Sequence, residues 1–351
     1  MISLSVIVPS YAYTLIKIEN LKLLIMDEKA LRQLDGVRDV KSLIELLEPY
    51  YPGLRLHEYT IEEIEKALFN FFITLIGKII TVTPDLMRNF LKNFLLKYEI
   101  INLKYTIIGT ILGFSKEEKS KNVNLLVEEY LDNKEFMQDL IAIQSLAEVQ
   151  LFMKKTKYNK VVEEGIRYFN NYNEIFVLEA YLDKFYYESM INLGKLRLSK
   201  ERLFISKYID YITELYNINI IYRGIANKIE KNLLSQLIIF RNFVLKHRDF
   251  NILLKQNDLD NFFMVLNKIF TENPKTRRYF HPKGETEKEI MNFMQEMYME
   301  LFFKQIRTNL GDIAFFTIYR ILELIIKKEK EIQKEILPRI VRVFRKKIFS
   351  R

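Results

Sequence analysis

The stretch TPDLMRNFLKNFLLKYEIINLKYTIIGTILGFSKEE, residues 83–118, has a counterpart later in the chain at residues 199–234, SKERLFISKYIDYITELYNINIIYRGIANKIEKNLL. Each copy opens with a hydroxyl residue that suits a helix N-terminus, continues through about five apolar turns, and reaches a tyrosine followed by an asparagine and a cation. The asparagines and cations of the two copies are Asn102, Lys104, Asn219 and Arg223. Self-similarity in a fixed order predicts repeated helical modules, which present a shaped surface rather than a catalytic cleft.

The composition is that of a folded, mostly helical protein. Of the 351 residues, 49% are hydrophobic, while only 10 are glycine and 7 are proline. Cysteine is absent, which excludes disulfides and thiolate metal sites. No segment alternates with period two between hairpin turns, so a large sheet is not expected. The sequence therefore predicts an all-α protein, which we divide into modules at residues 1–120, 121–235 and 236–351, the last one diverged.

Local signals place the helices. Thr60 suits the start of a helix, and Pro84 with Asp85 opens a long one. A second similarity supports the repeats, because the apolar residues of 40–51 match the spacing of those in 146–158, apart from one extra residue before the final tyrosine. Besides the long helix, we predict helices at residues 10–24, 28–34, 40–47, 60–76, 136–146, 146–153, 161–168, 175–193, 259–270, 287–301 and 312–336.

No apolar run is long enough for a transmembrane helix, which needs about 20 residues. The nearest candidate, residues 67–82, is interrupted by Asn70, Thr74 and Lys78. The apolar residues 2–8 lack the basic flank and the cleavage site of a signal peptide, so we expect them to remain in the mature protein.

The net charge is +9, and its meaning for binding partners depends on where along the chain the excess cations lie. After Pro338 every charged residue of the chain is a cation. These residues are Arg339, Arg342, Arg345, Lys346, Lys347 and Arg351. Elsewhere lysine and glutamate alternate, as in residues 116–119 and 327–331, which argues against a long phosphate-binding groove. A basic helical scaffold or adaptor that binds RNA or an acidic partner through this tail stays an alternative. Cations there also complement the dipole of their own helix.

The sequence lacks motifs typical of metal sites, nucleotide-binding sites and acid/base catalysis. His57, His247 and His281 stand far apart and outside any metal-binding spacing. Neither a phosphate-binding loop nor a dinucleotide-binding glycine motif occurs. Neighbouring acids such as those at residues 62–63 point about 100° apart on a helix, so they do not form an acid/base pair. We predict no catalytic residue, no cofactor and no metal site.

Four motifs in a fixed order indicate a family resemblance. They are YEIINLK at residues 98–104, LGFSKEE at 112–118, EAYLDKFYY at 179–187 and YNINIIYR at 216–223. Together they resemble the C subunit of archaeal and bacterial A/V-type rotary ATPases, the homologue of the d subunit of the eukaryotic V-ATPase. The resemblance runs from Tyr11 to about Glu335. The sequence departs from the family in its first helix, TLIKIENLKLL at residues 14–24, which lacks the usual arginines and alanines, and in its weakly matching last module.

The resemblance implies a non-catalytic funnel of three helical-bundle modules with a central cavity. In the family this protein sits at the cytoplasmic face of the membrane, on the proteolipid ring, and receives the axle formed by D/F-type subunits. It thereby couples ATP hydrolysis or synthesis to H⁺ or Na⁺ transport, as one copy within a hetero-oligomeric complex without a cofactor of its own. The candidate interface residues are Asn102, Lys104, Asn219, Arg223, Arg339, Arg342, Arg345 and Lys346.

Overall fold

The structure is a computed structural model that describes residues 11–54, 56, 59–194, 201–281, 286–307 and 312–349. Every regular element in these ranges is helical, which confirms the all-α prediction. A 3₁₀ turn, Lys22–Leu24, follows α1, and a π-helical turn, Glu331–Ile336, joins α17 to α18. The α-helices are α1 (Ala12–Leu21), α2 (Glu28–Gly36), α3 (Val40–Leu47), α4 (Ile61–Val82), α5 (Asp85–Ile111), α6 (Lys116–Asn122), α7 (Leu125–Tyr130), α8 (Lys134–Ala142), α9 (Leu146–Met153), α10 (Asn159–Tyr172), α11 (Ile175–Gly194), α12 (Glu201–Ala226), α13 (Lys231–Leu237), α14 (His247–Leu254), α15 (Leu259–Glu272), α16 (Glu287–Arg307), α17 (Ile313–Lys330) and α18 (Leu337–Phe349).

Helix starts follow the local signals. The Thr60 hydroxyl accepts the Glu63 N–H at 3.2 Å and caps α4, as the sequence predicted. Helix α5 begins at Asp85, directly after Pro84. Helix α4 continues past its predicted end at residue 76 because Ile79 and Ile80 still lie on its buried face.

The chain forms two compact units. The first contains residues 1–95, 124–134 and 309–351, and therefore both ends of the chain, whereas the second contains residues 96–123 and 135–308. The division into three modules and the funnel stay predictions.

The first unit is held together by helices from both ends of the chain. Helix α1 packs on α4 and α17, and α18 packs on α3 and α4. The core includes Ile18, Leu47, Phe72, Leu322 and Ile340, all almost completely buried. Burying such side chains contributes roughly 1.5–3 kcal/mol each.

The second unit is organised around α12. Helices α11, α13, α14, α15 and α16 pack on it, and α10 forms a hairpin with α11. Aromatic rings fill the space between them: Tyr211 stacks on Phe302 at a ring-centroid distance of 5.1 Å, and Phe270 meets Phe280 at 4.8 Å. These pairs add directional packing to the burial of apolar area.

Helices α5 and α12 end in the same way. The N–H five residues after Gly109 donates to the Gly109 carbonyl at 2.8 Å, and the N–H five residues after Gly224 does the same at 2.9 Å. A residue with positive φ follows each helix, Gly113 at 74° and Lys228 at 54°. This shared ending aligns Gly109 with Gly224.

The alignment of the helix ends changes the pairing of the asparagines. It places Asn217, rather than Asn219, opposite Asn102. Asn102 and Asn217 are both buried, while Asn219 is exposed. The Asn217 amide donates to the Ile239 carbonyl at 2.7 Å and accepts the Ile239 N–H at 2.9 Å. Pairing Asn102 with Asn219 by sequence was wrong because two residues turn a helix by about 200°, from core to solvent.

Candidate functional site

Lys104 of α5 makes a close ion pair with α11. Its Nζ atom lies 2.6 Å from Oδ2 of Asp183, and the two side chains are 15% and 27% exposed. Burial raises the pKa of Asp183, and the Lys104 ammonium opposes that shift. The pair therefore joins two helices at a site where water screens the charges only in part.

Arg223 of α12 makes the corresponding pair with α11. Its guanidinium lies 2.7 Å from Oε2 of Glu179 and 4.9 Å from the ring centroid of Phe176. Glu179 stands one helical turn before Asp183, so both carboxylates lie on one face of α11. We call Lys104, Glu179, Asp183 and Arg223 the charge seam. It brings together two candidates that the sequence had taken from different repeats.

The asparagine candidates do not join the charge seam in the same way. Asn102 is 2% exposed and lies in the interior of the second unit. Asn219 is exposed and stands one turn before Arg223 on α12. Of the two, Asn219 is the one whose side chain is open to solvent.

Acidic side chains meet the basic tail. Arg339 lies 2.9 Å from Oδ1 of Asp35 and 2.8 Å from Oε2 of Glu335. The hydrogen bond from Arg339 holds the pKa of Asp35 below its usual range. Arg342 is 58% exposed and 3.8 Å from the same carboxylate. Arg345 and Lys346 belong to α18, but their side chains lie outside the described part of the structure.

Two buried glutamates fasten loops to long helices. Glu214 of α12 accepts the Tyr298 hydroxyl at 2.6 Å and the N–H groups of residues 243–245 at 2.6–3.0 Å. Glu331 accepts the Tyr51 hydroxyl at 2.7 Å and the Met26 N–H at 2.9 Å. We call Glu214 and Glu331 the glutamate anchors. Glu214 thereby accepts hydrogen bonds from three backbone N–H groups and Glu331 from one, and buried backbone donors need such acceptors.

The anchors were not predicted from the sequence, although a signal was present. Glu214 shares its helical face with Ile218 and Ile221, and both isoleucines are completely buried. An acid four and seven residues before core isoleucines is predicted to be buried itself. What the sequence does not give is its set of partners, since Tyr298 lies far along the chain.

The described residues hold no group of three histidine, cysteine, aspartate or glutamate side chains placed to bind a metal ion. Among their helices, none has the length and apolar character needed to cross a bilayer. The His247 ring contacts that of Phe240 at a centroid distance of 4.5 Å, and His57 lies outside the described residues.

Comparison with known protein families identifies the chain. The family model described as ATP synthase (C/AC39) subunit matches residues 17–334. This chain belongs to that family. The C/AC39 proteins are non-catalytic structural subunits of rotary ATPases, which are hetero-oligomeric complexes. The match confirms the family resemblance seen in the sequence.

Similar proteins carry a consistent description. The chain is 26% identical over 240 residues to the A-type ATP synthase C subunit of Methanocaldococcus jannaschii, covering 67% of this chain and 59% of that protein. It is 21% identical over 343 residues to the A-type ATP synthase C subunit of Pyrococcus furiosus, covering 95% of this chain and 86% of the relative. It is 24% identical over 233 residues to the A-type ATP synthase C subunit of Methanothermobacter thermautotrophicus, covering 65% of this chain and 58% of that protein. The alignment thus spans less than two thirds of the first and third relatives, and most of the second.

Within the C/AC39 chain, the charge seam contains two of the interface candidates, Lys104 and Arg223, whose interface role stays a prediction. Sequence repetition singled out Lys104 and Arg223, and the structure gives both an acidic partner on α11. The sequence motif EAYLDKFYY contains both acids, Glu179 and Asp183. It did not show that those acids pair with the two cations.

Proposed function

We propose that the chain is the central-stalk subunit of an A/V-type ATPase or ATP synthase, a socket that couples the rotor axle to the membrane proteolipid ring. Through it, ATP hydrolysis or synthesis is linked to H⁺ or Na⁺ transport. Its partners are the axle subunits of the D/F type and the ring, and its place is peripheral, at the cytoplasmic face of the membrane. The family match across residues 17–334 carries the proposal.

The internal packing of each unit suits this role. A protein that transmits torque must resist bending, and buried polar contacts that are fully paired hold helices in one arrangement. In the second unit the charge seam connects α5, α11 and α12, and the Glu214 anchor holds residues 243–245 against α12. In the first unit the Glu331 anchor ties Met26 and Tyr51 to the turn after α17.

The basic tail after Pro338 gives the RNA-binding alternative less support than the family match gives the socket role. A phosphate-binding helix needs cations that are open to solvent, whereas Arg339 is 17% exposed and already paired with two carboxylates. The full tail contains further cations, so a binding test is still informative. Deleting it should abolish any steeply salt-dependent binding to polyanions if the alternative holds.

Purification from native cells tests the proposal directly. The tagged full chain is isolated in mild detergent, and its partners are identified by mass spectrometry. Recovery of axle subunits together with the proteolipid ring is the expected result. A preparation that contains other partners and neither of these would contradict the socket role.

Coupling in membrane vesicles tests the charge seam. Lys104→Met removes the cation between α5 and α11, and we expect fewer ions to be transported per ATP hydrolysed while the complex still assembles. The matched control is Lys92→Met on the same helix, because the Lys92 pair with Asp132 is 41% and 83% exposed. Equal coupling ratios for both variants would show that the seam has no part in torque transmission.

A further inference from the structure

Helix α1 and the 3₁₀ turn that continues it present large apolar side chains to solvent. Tyr13 is 57% exposed, Ile16 63% and Leu23 77%. Together with the exposed Asn20 they follow one another at steps of three or four residues, so they lie on one face of the helix, about 15 Å long. We call these residues and Lys17 the outer face of α1. Exposed apolar side chains that are grouped in this way mark a contact surface.

The opposite face of α1 fixes this orientation. Thr14 and Ile18 are completely buried, and the helix packs on α4 and α17. The Thr14 hydroxyl donates to the carbonyl of Val82, the last residue of α4. Turning α1 so that its outer face enters the core would break these contacts and expose Ile18. The outer face therefore stays at the surface of the folded unit.

Two lysines accompany the apolar side chains. Lys17 is exposed, and its Nζ atom lies 5.4 Å from the ring centroid of Tyr13. Lys22 stands at the edge of the outer face, in the 3₁₀ turn. Within the part of the chain that the structure describes, neither lysine forms an ion pair. Both ammonium groups are thus available to an anionic partner.

The acids beside the outer face are paired with cations. Glu19 is the only acid in residues 1–26, and its Oε1 atom lies 2.9 Å from Nε of Arg320 on α17. Over residues 313–327, the part of α17 beside α1, the only acid is Glu323. It lies 2.8 Å from Arg320 and 2.9 Å from Lys327. These carboxylates therefore do not neutralise the two lysines.

Other nearby acids belong to helix starts or lie far along α4. Asp27 and Asp312 cap the starts of α2 and α17. Glu28 pairs with Arg32 at 3.3 Å. The last acid of α4 is Glu65, about 25 Å along the helix from the end that meets α1. The outer face of α1 thus combines apolar side chains with cations that lack a counterion.

We propose that the outer face of α1 rests on the headgroup region of an anionic lipid bilayer. Tyrosine, lysine and aliphatic side chains together suit that region, because the apolar groups reach the acyl boundary while the ammonium groups meet lipid phosphates. A nucleic acid would pair with Lys17 but leave Ile16 and Leu23 in water. A protein partner would need a groove shaped to this ridge, whereas a fluid bilayer conforms to it.

The inference rests on the proposed peripheral place at the membrane and adds a direct lipid contact to it. Vesicles that contain neither ring nor axle subunits test it with the full chain. We expect co-sedimentation with vesicles of phosphatidylcholine and phosphatidylglycerol, less as salt is added, and none with phosphatidylcholine alone. Failure of this binding would leave the socket role untouched, because no partner subunit is present.

Single substitutions locate the contact. Lys17→Gln should weaken vesicle binding about fivefold, and Leu23→Ser about five- to tenfold. The matched control is Leu151→Ser on α9, because Leu151 is 67% exposed and lies in the second unit. It should bind as the parent protein does. Since both leucines are largely exposed, neither serine variant should change the helical circular dichroism.

Three results would overturn the proposal. The first is no binding to the anionic vesicles, which would leave another part of the chain or a partner protein as the occupant of the outer face. The second is equal binding to vesicles of phosphatidylcholine alone. The third is binding that Leu23→Ser leaves unchanged or weakens no more than Leu151→Ser does, which would move the lipid contact elsewhere, for example to the basic tail.

Discussion

At the scale of single residues, Glu214 illustrates how a protein keeps an acid in its core. The side chain is fully buried, and burial raises its pKa from 4.5 to about 7, although Tyr298 and three backbone N–H groups favour the ionised form. Near neutral pH the site is therefore close to its titration midpoint. A small change in surroundings would alter its charge.

The raised pKa of Glu214 predicts a pH dependence of stability. The native state binds this proton more tightly than the unfolded chain does. The protonated Glu214 side chain therefore makes its full contribution to the stability of the fold below pH 4.5, and that contribution is lost as the pH rises through 7. Relative to Glu214→Gln, which does not titrate, the parent protein should lose about 3 kcal/mol of unfolding free energy over that window. Urea unfolding at stepped pH measures the difference, and parallel profiles for the two proteins would refute it.

Two adjacent lysines give a second residue-scale prediction. Lys328 is completely buried, donates to Glu331 at 2.7 Å and lies 3.6 Å from the ring centroid of Tyr51, whereas Lys327 is 44% exposed. Lys328→Met leaves Glu331 without its cation and should cost about 3 kcal/mol of unfolding free energy. Lys327→Met should cost less than about 1 kcal/mol. Denaturant titration of both variants checks this, and similar losses would contradict the assigned pairing.

At the scale of elements, one glycine sets how closely two helices approach. A Cβ atom on Gly77 of α4 would lie 2.2 Å from the ring of Tyr130 of α7, far inside contact distance. Glycine is thus required here for packing rather than for backbone conformation. Gly36 at the end of α2 differs, because nothing lies within 4 Å of its Cβ position.

Replacing each of these two glycines by alanine should change the stability of the protein in opposite directions. Gly77→Ala overpacks the α4 and α7 contact and should destabilise the protein by about 1–3 kcal/mol. Gly36→Ala reduces the freedom of the unfolded chain and should stabilise it by about 0.5 kcal/mol. Thermal unfolding of the two variants distinguishes them. A neutral Gly77→Ala would mean that Tyr130 moves aside at little cost.

At the scale of the whole molecule, both ends of the chain build the first unit. Helix α18 contacts α3 and α4, buries Ile340 and pairs Arg339 with Asp35 in the last turn of α2. The basic tail is therefore part of the folded unit through its first residues. Its sequence alone indicated a cationic helix, but not the helices and the carboxylates that this helix contacts.

Deleting residues 337–351 should weaken the first unit selectively. We expect faster amide hydrogen exchange in α3 and α4, because α18 covers both helices, and unchanged exchange in α10, α11 and α16 of the second unit. Arg342→Ala, at a side chain that is 58% exposed, is the control and should change neither unit. Uniformly faster exchange across both units would show that they unfold together.

Local sequence signals determined where the helices of this protein lie and to which family it belongs. The apolar periodicity set the helices, and capping residues such as Thr60 set their starts, because both act within a few residues of chain. Repetition and motif order also led to the family, which the match over residues 17–334 confirmed. The cations Lys104 and Arg223 were identified in the same way, although their interface role stays a proposal.

Only the tertiary structure decided which charges are buried and what they bind. The alternating charge runs at residues 116–119 and 327–331 contain no local sign of burial, yet Lys119, Lys328 and Glu331 are buried. Lys119 donates to Thr110 and to the Ile143 carbonyl, and burial lowers its pKa. Such partners come from elements distant in sequence, so no local pattern specifies them. Whether a charge lies in water or in the core depends on which helix covers it, and that is fixed only when the chain has folded.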